Sequence, residues 1–346
     1  MRKRELVPGY EISPVIKGGW QLSSGHSLTS SIETEQAISD TVTFIEEGIS
    51  TLDFGDIYTG VEVLIGKAIA RLTDRHGTQA RSMVQLHTKY VPNETRLHDF
   101  DRTDVQKIVN RSLVRLGVEQ VDLVQFHWWD YEAKDYLIAM EELFKLKAAG
   151  KIGHVGITNF DLPHVKEFVE AGLKPASIQL QYSALDRRPE NGVTNYCLEQ
   201  GIGVICYGTV AGGFISEKYL GVDAPVRVET RSNVKYKLVI EDFGGWELFQ
   251  ELLDVLKGIA DIHSIDIASI SSAYTLSRPG VKGVIVGARN LSHLQSNLVI
   301  PKIIFSPSEL ESIEKVLNRS QALVGDVYQL ERYSDRHRNI MHTNNN

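Results

Sequence analysis

Cysteine is scarce in this 346-residue chain: Cys197 and Cys206 are the only two. That is too few for a disulfide framework or a thiolate metal site, so no metal is expected and a reducing, cytoplasmic setting fits best. No apolar run approaches the ~20 residues of a membrane span, which excludes a membrane partner. The start Met1-Arg2-Lys3-Arg4 is basic, but no apolar stretch follows it, which speaks against a secretory signal. A surplus of positive charge is missing too. The formal net charge is -7 and the pI about 5.9, the wrong sign for a nucleic-acid partner. Finally, no Gly-x-Gly-x-x-Gly turn follows an early strand. Gly18-Gly19 is a lone pair with a loop behind it, so the fingerprint of an open doubly wound sheet is absent.

What is present is alternation. Short β-branched runs, each followed by a helical stretch, predict strands over Val15–Trp20, Ile49–Phe54, Met83–His87, Val121–His127, Ile152–Thr158, Ala176–Gln181, Gly203–Tyr207 and Lys282–Val286. Several are apolar almost throughout, as parallel strands covered on both faces should be. The helices between them are amphipathic. Val105, Ile108, Val109, Leu113 and Leu116 recur at helical spacing, with Thr103 and Gln106 at capping-box spacing and Gly117 beyond the end. Ala37, Thr41, Phe44 and Ile45 form a similar stripe that Gly48 closes. Eight such units predict an α/β fold of the (β/α)₈ TIM-barrel type, one domain over residues 1–346, its core at about 10–320. Two stretches break the rhythm. Residues 212 to about 245 have no clear period and read as a long loop, expected to act partly as a lid, and the tail 321–346 is polar and irregular.

The active face of a barrel is the C-terminal ends of its strands. Read in order, that face carries Asp53 and Tyr58 after the second strand, Lys89 after the third and His127 at the end of the fourth. A single loop tyrosine or core histidine would mean little. The combination means more. A phenol has a pKa of ~10, a nearby ammonium lowers it, and a carboxylate holds that ammonium charged and in place. The imidazole would hydrogen-bond a carbonyl oxygen and orient it toward the tyrosine. Such a set moves a proton on or off an oxygen and holds no nucleophile.

The chain resembles the aldo-keto reductase superfamily over about residues 10–320. The segments that carry the likeness are Leu52-Asp53-Phe54-Gly55-Asp56-Ile57-Tyr58, His87-Thr88-Lys89, Val121–Trp128, Gly156–Phe160, Ile178–Ser183 and Gly283–Arg289. The resemblance implies a catalytic tetrad of Asp53, Tyr58, Lys89 and His127, with Tyr58 as general acid. It places Thr158, Asn159 and Gln179 on the nicotinamide carboxamide, Tyr207 against the nicotinamide ring and Gly212 and Gly213 over the pyrophosphate. Gly287, Arg289, His293 and Asn297 fall at the adenosine-phosphate end. Trp20, Tyr90, Trp128 and Trp129 are the candidates for an aromatic substrate pocket.

This chain departs from the family pattern at three places. Thr158 stands where serine is commoner, and Ile178 precedes Gln179 where the family often has asparagine. Ala288 and His293 replace a hydroxyl and a basic residue near the 2′-phosphate. Arg289, with the helical run Leu291–Val299 behind it, still favours NADP(H) over NAD(H). The implied function is hydride transfer between NADPH or NADH and a small aldehyde, ketone or alcohol. The alternative is a cofactor-binding regulatory subunit with little turnover.

Overall fold

A computed structural model describes residues 1–23, 33–228, 230–321, 323 and 325–338. The polar finish Asn344-Asn345-Asn346 lies outside the described residues.

A hairpin comes first, β1 (Arg4–Val7) against β2 (Tyr10–Ile12), antiparallel around Pro8-Gly9. Eight parallel strands follow: β3 (Val15–Gly18), β4 (Thr51–Asp53), β5 (Gln85–Tyr90), β6 (Val121–Phe126), β7 (Ile152–Thr158), β8 (Ser177–Gln181), β9 (Gly203–Tyr207) and β10 (Val281–Gly287). They close into a barrel in chain order, with β10 pairing back onto β3. Each of the eight predicted strands is present.

Helices wrap the barrel because their apolar stripes need cover. In the helix Thr34–Glu46, Ala37, Thr41, Phe44 and Ile45 are buried, and Gly48 behind it takes φ +94°, a conformation that favours glycine. The helix Arg102–Leu116 ends on Gly117 in the left-handed region, as its spacing predicts. Its start is a correction: Asp101, not Thr103, is the N-cap, its carboxylate accepting from the Thr103 N–H at 2.9 Å. A carboxylate two residues earlier completes the same N-terminus.

The hairpin, absent from the predicted elements, closes the bottom of the barrel. Leu6 and Ile12 pack with Ile16, Leu123 and Ile205. Tyr10 stacks on His154 at 4.5 Å, and its hydroxyl meets His87 Nε2 at 2.8 Å. The opposite mouth stays open.

The long connection after β9 is also more ordered than its sequence suggests. It contains the helix Arg231–Phe243, whose Tyr236, Val239, Ile240 and Phe243 are buried, and then Trp246–His263. These residues join a second apolar cluster with Leu252, Leu256 and Ile313. The tail is similarly held: the short helix Gln329–Tyr333 buries Glu331 and Arg332. Among the described residues no helix is long and apolar enough to cross a membrane.

Candidate active site

Parity along the strands decides which side chains reach the open mouth. Asp53 pairs across to His87, and Lys89 lies two residues further along β5, opposite Gln125. From there Lys89 Nζ donates to Asp53 Oδ1 at 2.5 Å and to Phe54 O at 2.8 Å. Asp53 Oδ2 accepts from Gln125 Nε2 and from Gln179 Nε2, both at 2.6 Å. The buried carboxylate therefore has a cation and two amides as donors, the condition on which a charge survives away from water. Burial alone would lower the Lys89 pKa, but Asp53 and Tyr58 outweigh it and raise the pKa, so Lys89 stays a cation.

Tyr58 stands on the turn after β4, its N–H donating to Gly55 O at 3.0 Å. Its ring lies 5.1 Å from Lys89 Nζ and 5.1 Å from the ring of Trp20. Burial pushes the phenol up, and Lys89 pulls it back only in part, so the net shift is upward. The lowering expected from Lys89 alone is outweighed by burial. Tyr58 therefore stays protonated at neutral pH.

His127 follows β6. Its ring Nδ1 lies 3.2 Å from Thr158 O, and its ring is edge-on to Trp129 at 4.5 Å and to Tyr328 at 5.6 Å. Burial, helped by the Arg332 cation, pushes its pKa down to about 3, so the imidazole is neutral. A carbonyl oxygen can only accept, which puts the single ring proton on Nδ1. Nε2 is then an acceptor, and it is buried with no hydrogen-bond partner among the described residues.

All four residues line one cleft of about 1100 Å³. Thr158, Asn159, Gln179 and Tyr207 line it as well, as do Gly212, Gly213, Gly287, Arg289, His293 and Asn297. Asn159 sits at φ +61°, a strained place for any residue but glycine and one that asparagine tolerates best. Its Oδ1 accepts from the Tyr207 hydroxyl at 2.9 Å. Asn297 Nδ2 is buried without a partner among the described residues. Ile178 belongs to the core behind the barrel wall, so an apolar side chain there removes nothing from the floor of the cleft.

Of the four aromatic candidates, Trp20 and Trp129 line the cleft, while Tyr90 and Trp128 do not. Each of the latter directly follows an inward-facing residue, Lys89 or His127, and so points outward. Tyr90 stacks on Phe126 at 5.7 Å, and Trp128 Nε1 donates to Ala133 O at 2.9 Å. The tail supplies the missing wall in Tyr328, and the helix after β9 contributes Lys235. Neither has a motif around it. Gln125 could have been found by the same parity that excludes Tyr90.

At the β10 end, the helical run behind Arg289 divides into a turn at Leu291–His293 and a six-residue helix, Leu294–Val299, with Asn290 capping the turn. Lys17 donates to Ala288 O at 2.9 Å beneath this corner and is 3% exposed. Burial pushes its pKa down to about 8, with Asp40 opposing. The unfolded value is ~10.4, so between the two the unfolded chain binds the proton and the folded chain does not. Stability therefore rises with pH across that window. Urea unfolding of wild type and Lys17→Met should show the difference between them rising by roughly 2–3 kcal/mol from about pH 8 to ~10. A flat difference would contradict the assignment.

The family model described as "Aldo/keto reductase family" matches residues 14–318. The uncharacterized oxidoreductase YqkF of Bacillus subtilis is 29% identical over 309 residues, which span 86% of this chain and 90% of that protein. The NADH-specific methylglyoxal reductase of Escherichia coli is 26% identical over 216 residues, 58% of this chain and 64% of that one. Among solved structures, an aldo/keto reductase from Klebsiella pneumoniae, in complex with NADP and acetate, superposes with a TM-score of 0.69. It is 19% identical and covers 94% of this chain and 98% of its own.

Proposed function

The chain belongs to the aldo/keto reductase family, and from that premise we propose that it reduces aldehydes or ketones reversibly with a nicotinamide dinucleotide. The observation that carries this reading is the Asp53–Lys89 pair, buried and saturated with hydrogen bonds, directly beside the Tyr58 ring.

The residues present fit such a cofactor. The cleft is long enough to bring strand ends β7 to β10 to one surface, and Asn297 Nδ2 has no partner for its N–H groups among the described residues. Thr158, Asn159 and Gln179 would hold the carboxamide, Tyr207 the ring face, Gly212 and Gly213 the pyrophosphate and Arg289 the adenosine phosphate. When bound, the reduced dinucleotide supplies a hydride to the carbonyl carbon. Tyr58 gives its proton to the carbonyl oxygen as charge develops there, and the carbonyl leaves as an alcohol. Lys89 stabilises the phenolate left behind, and Asp53 keeps Lys89 in place. Trp20, Trp129 and Tyr328 exclude water on the substrate side. Cys197 and Cys206, both buried and unpaired, agree with a reducing, cytoplasmic setting.

NADP(H) is the preferred dinucleotide in this reading, by a moderate margin, because Arg289 offers a planar fork to a 2′-phosphate while Ala288 and His293 offer little. A carbonyl panel run with NADPH and with NADH tests both parts. Turnover should be seen with both and be better with NADPH; cofactor binding without turnover would favour a regulatory subunit instead. Arg289→Ala should weaken NADPH binding by about 1.5–3 kcal/mol, the range for hydrogen bonds to charged groups, and leave NADH nearly unchanged. Fluorescence titration reads both, and equal losses would show that Arg289 does not read the phosphate.

A further inference from the structure

Asn159 holds a backbone conformation that few side chains favour. Its φ of +61° lies in the left-handed region, which a residue other than glycine keeps only where its surroundings impose it. Three bonds do so here. The Asn159 N–H donates to Gln179 O at 3.0 Å, its Oδ1 accepts from the Tyr207 hydroxyl at 2.9 Å, and its carbonyl accepts from Arg332 Nη1 at 2.8 Å. The first two partners belong to barrel strands. The third comes from the tail, 173 residues away in sequence.

Arg332 is 6% exposed and has no carboxylate partner among the described residues. It donates also to Trp128 O at 2.8 Å and Trp129 O at 3.3 Å, and the ring of Tyr131 lies 4.1 Å from the guanidinium. A planar fork of N–H groups reaches the turns after β6 and β7 together, which an ammonium cannot do. Fastening the tail does not require this arrangement. Glu331 already ties it to Arg188 at 2.9 and 3.1 Å, and Asp326 accepts from the Leu162 N–H at 2.9 Å. A buried guanidinium directed at carbonyls beyond two strand ends sets the backbone there instead.

We infer that Arg332 is a positioning residue for the nicotinamide end of the cofactor: through the Asn159 carbonyl it holds the Asn159 amide where the carboxamide binds. This rests on the nicotinamide reading above. It adds a residue of the tail, outside the span 14–318 that the family model matches.

The test compares NADPH with 2′-phospho-ADP-ribose, and NADH with ADP-ribose, each fragment being the dinucleotide without its nicotinamide. Calorimetric titration of Arg332→Met should show each dinucleotide bound at least about tenfold more weakly than by wild type, one hydrogen bond's worth, and each fragment within about twofold. A general support of the fold would weaken both alike. Arg332→Lys keeps the charge without the fork, should show the same split, and carries the comparison if Arg332→Met does not fold. A double-mutant cycle reads the route through Asn159. Asn159→Gly adopts the same φ without strain and removes the amide, so adding Arg332→Met to it should weaken the dinucleotide by less than about twofold more. Equal losses for dinucleotide and fragment, no loss for either, or a full additive loss in the double variant would each overturn the inference while leaving the reductase reading intact. A wild type that binds neither NADPH nor NADH would overturn that reading, and the inference with it.

Discussion

Tyr58→Phe is expected to lower kcat by ~10²–10⁴-fold, the loss typical of a removed general acid. The substitution deletes one oxygen and keeps the ring that packs on Trp20 at 5.1 Å, so the fold should be retained. Cofactor affinity should be retained too, since the hydroxyl serves the carbonyl rather than the dinucleotide. The phenol is held above its usual pKa by burial despite Lys89, so rates in the reduction direction should stay flat through neutral pH. Steady-state kinetics beside fluorescence titration of the cofactor separates the two effects. Retention of more than about a tenth of wild-type kcat, with chemistry rate-limiting, would remove Tyr58 from the proton-donor role.

Glu331→Ala should cost about 3–5 kcal/mol of stability, because it takes from the buried Arg188 one of its two carboxylates and from Lys235 its ion-pair partner. Arg188 makes a paired contact with Glu331, at 2.9 and 3.1 Å, and another with Asp186, at 2.6 and 2.9 Å. Lys235 Nζ lies 3.3 Å from the same glutamate. Glu331 comes from the tail, Lys235 from the helix after β9 and Arg188 from the turn after β8, so one carboxylate joins three separate elements. Burial opposes ionisation of Glu331, but Lys235 and Arg188 overcome it and hold the carboxyl well below the usual carboxylate range. Its contribution is therefore fully present above the unfolded value of ~4.3 and is lost as pH falls through the lower folded value. Urea unfolding at neutral and acid pH should show wild type and Glu331→Ala converging on acidification. Since Tyr328 is three residues away, KM for the carbonyl should rise as well. A variant of unchanged stability at neutral pH would mean that the cluster does not hold the walls together.

Much of this was readable from the chain alone because barrel strands are short, apolar and regularly spaced. Asp53, Lys89 and His127 could be placed at strand ends by counting. What escaped was of three kinds. The opening hairpin was hidden in plain view: Leu6, Tyr10 and Ile12 flank Pro8-Gly9, a strong turn signal, but the runs are too short to stand out beside the barrel strands. The helix Arg231–Phe243 carries its stripe at 236, 239, 240 and 243, which polar and charged neighbours obscured. Long-range matters were not readable at all. Nothing near Glu331 in sequence announces Arg188, and no pattern distinguishes Tyr328 as a wall of the cleft or fixes the ring of His127. Tyr90 and Trp128 are a different kind of miss. Strand alternation, applied to Lys89 and His127, would have turned both away from the cleft.

The central claim is that a hydride passes from a nicotinamide dinucleotide to a carbonyl carbon in this cleft. Incubating the protein with hydroxyacetone and cofactor carrying deuterium at C4 of the dihydronicotinamide ring, then analysing the product by mass spectrometry and NMR, tests it directly. The account predicts one deuterium per product molecule, bound to the new carbinol carbon in a single configuration, with Tyr58→Phe forming the same labelled product far more slowly. Product formed without deuterium at that carbon, or no product with either NADPH or NADH across a panel of aldehydes and ketones, would contradict it.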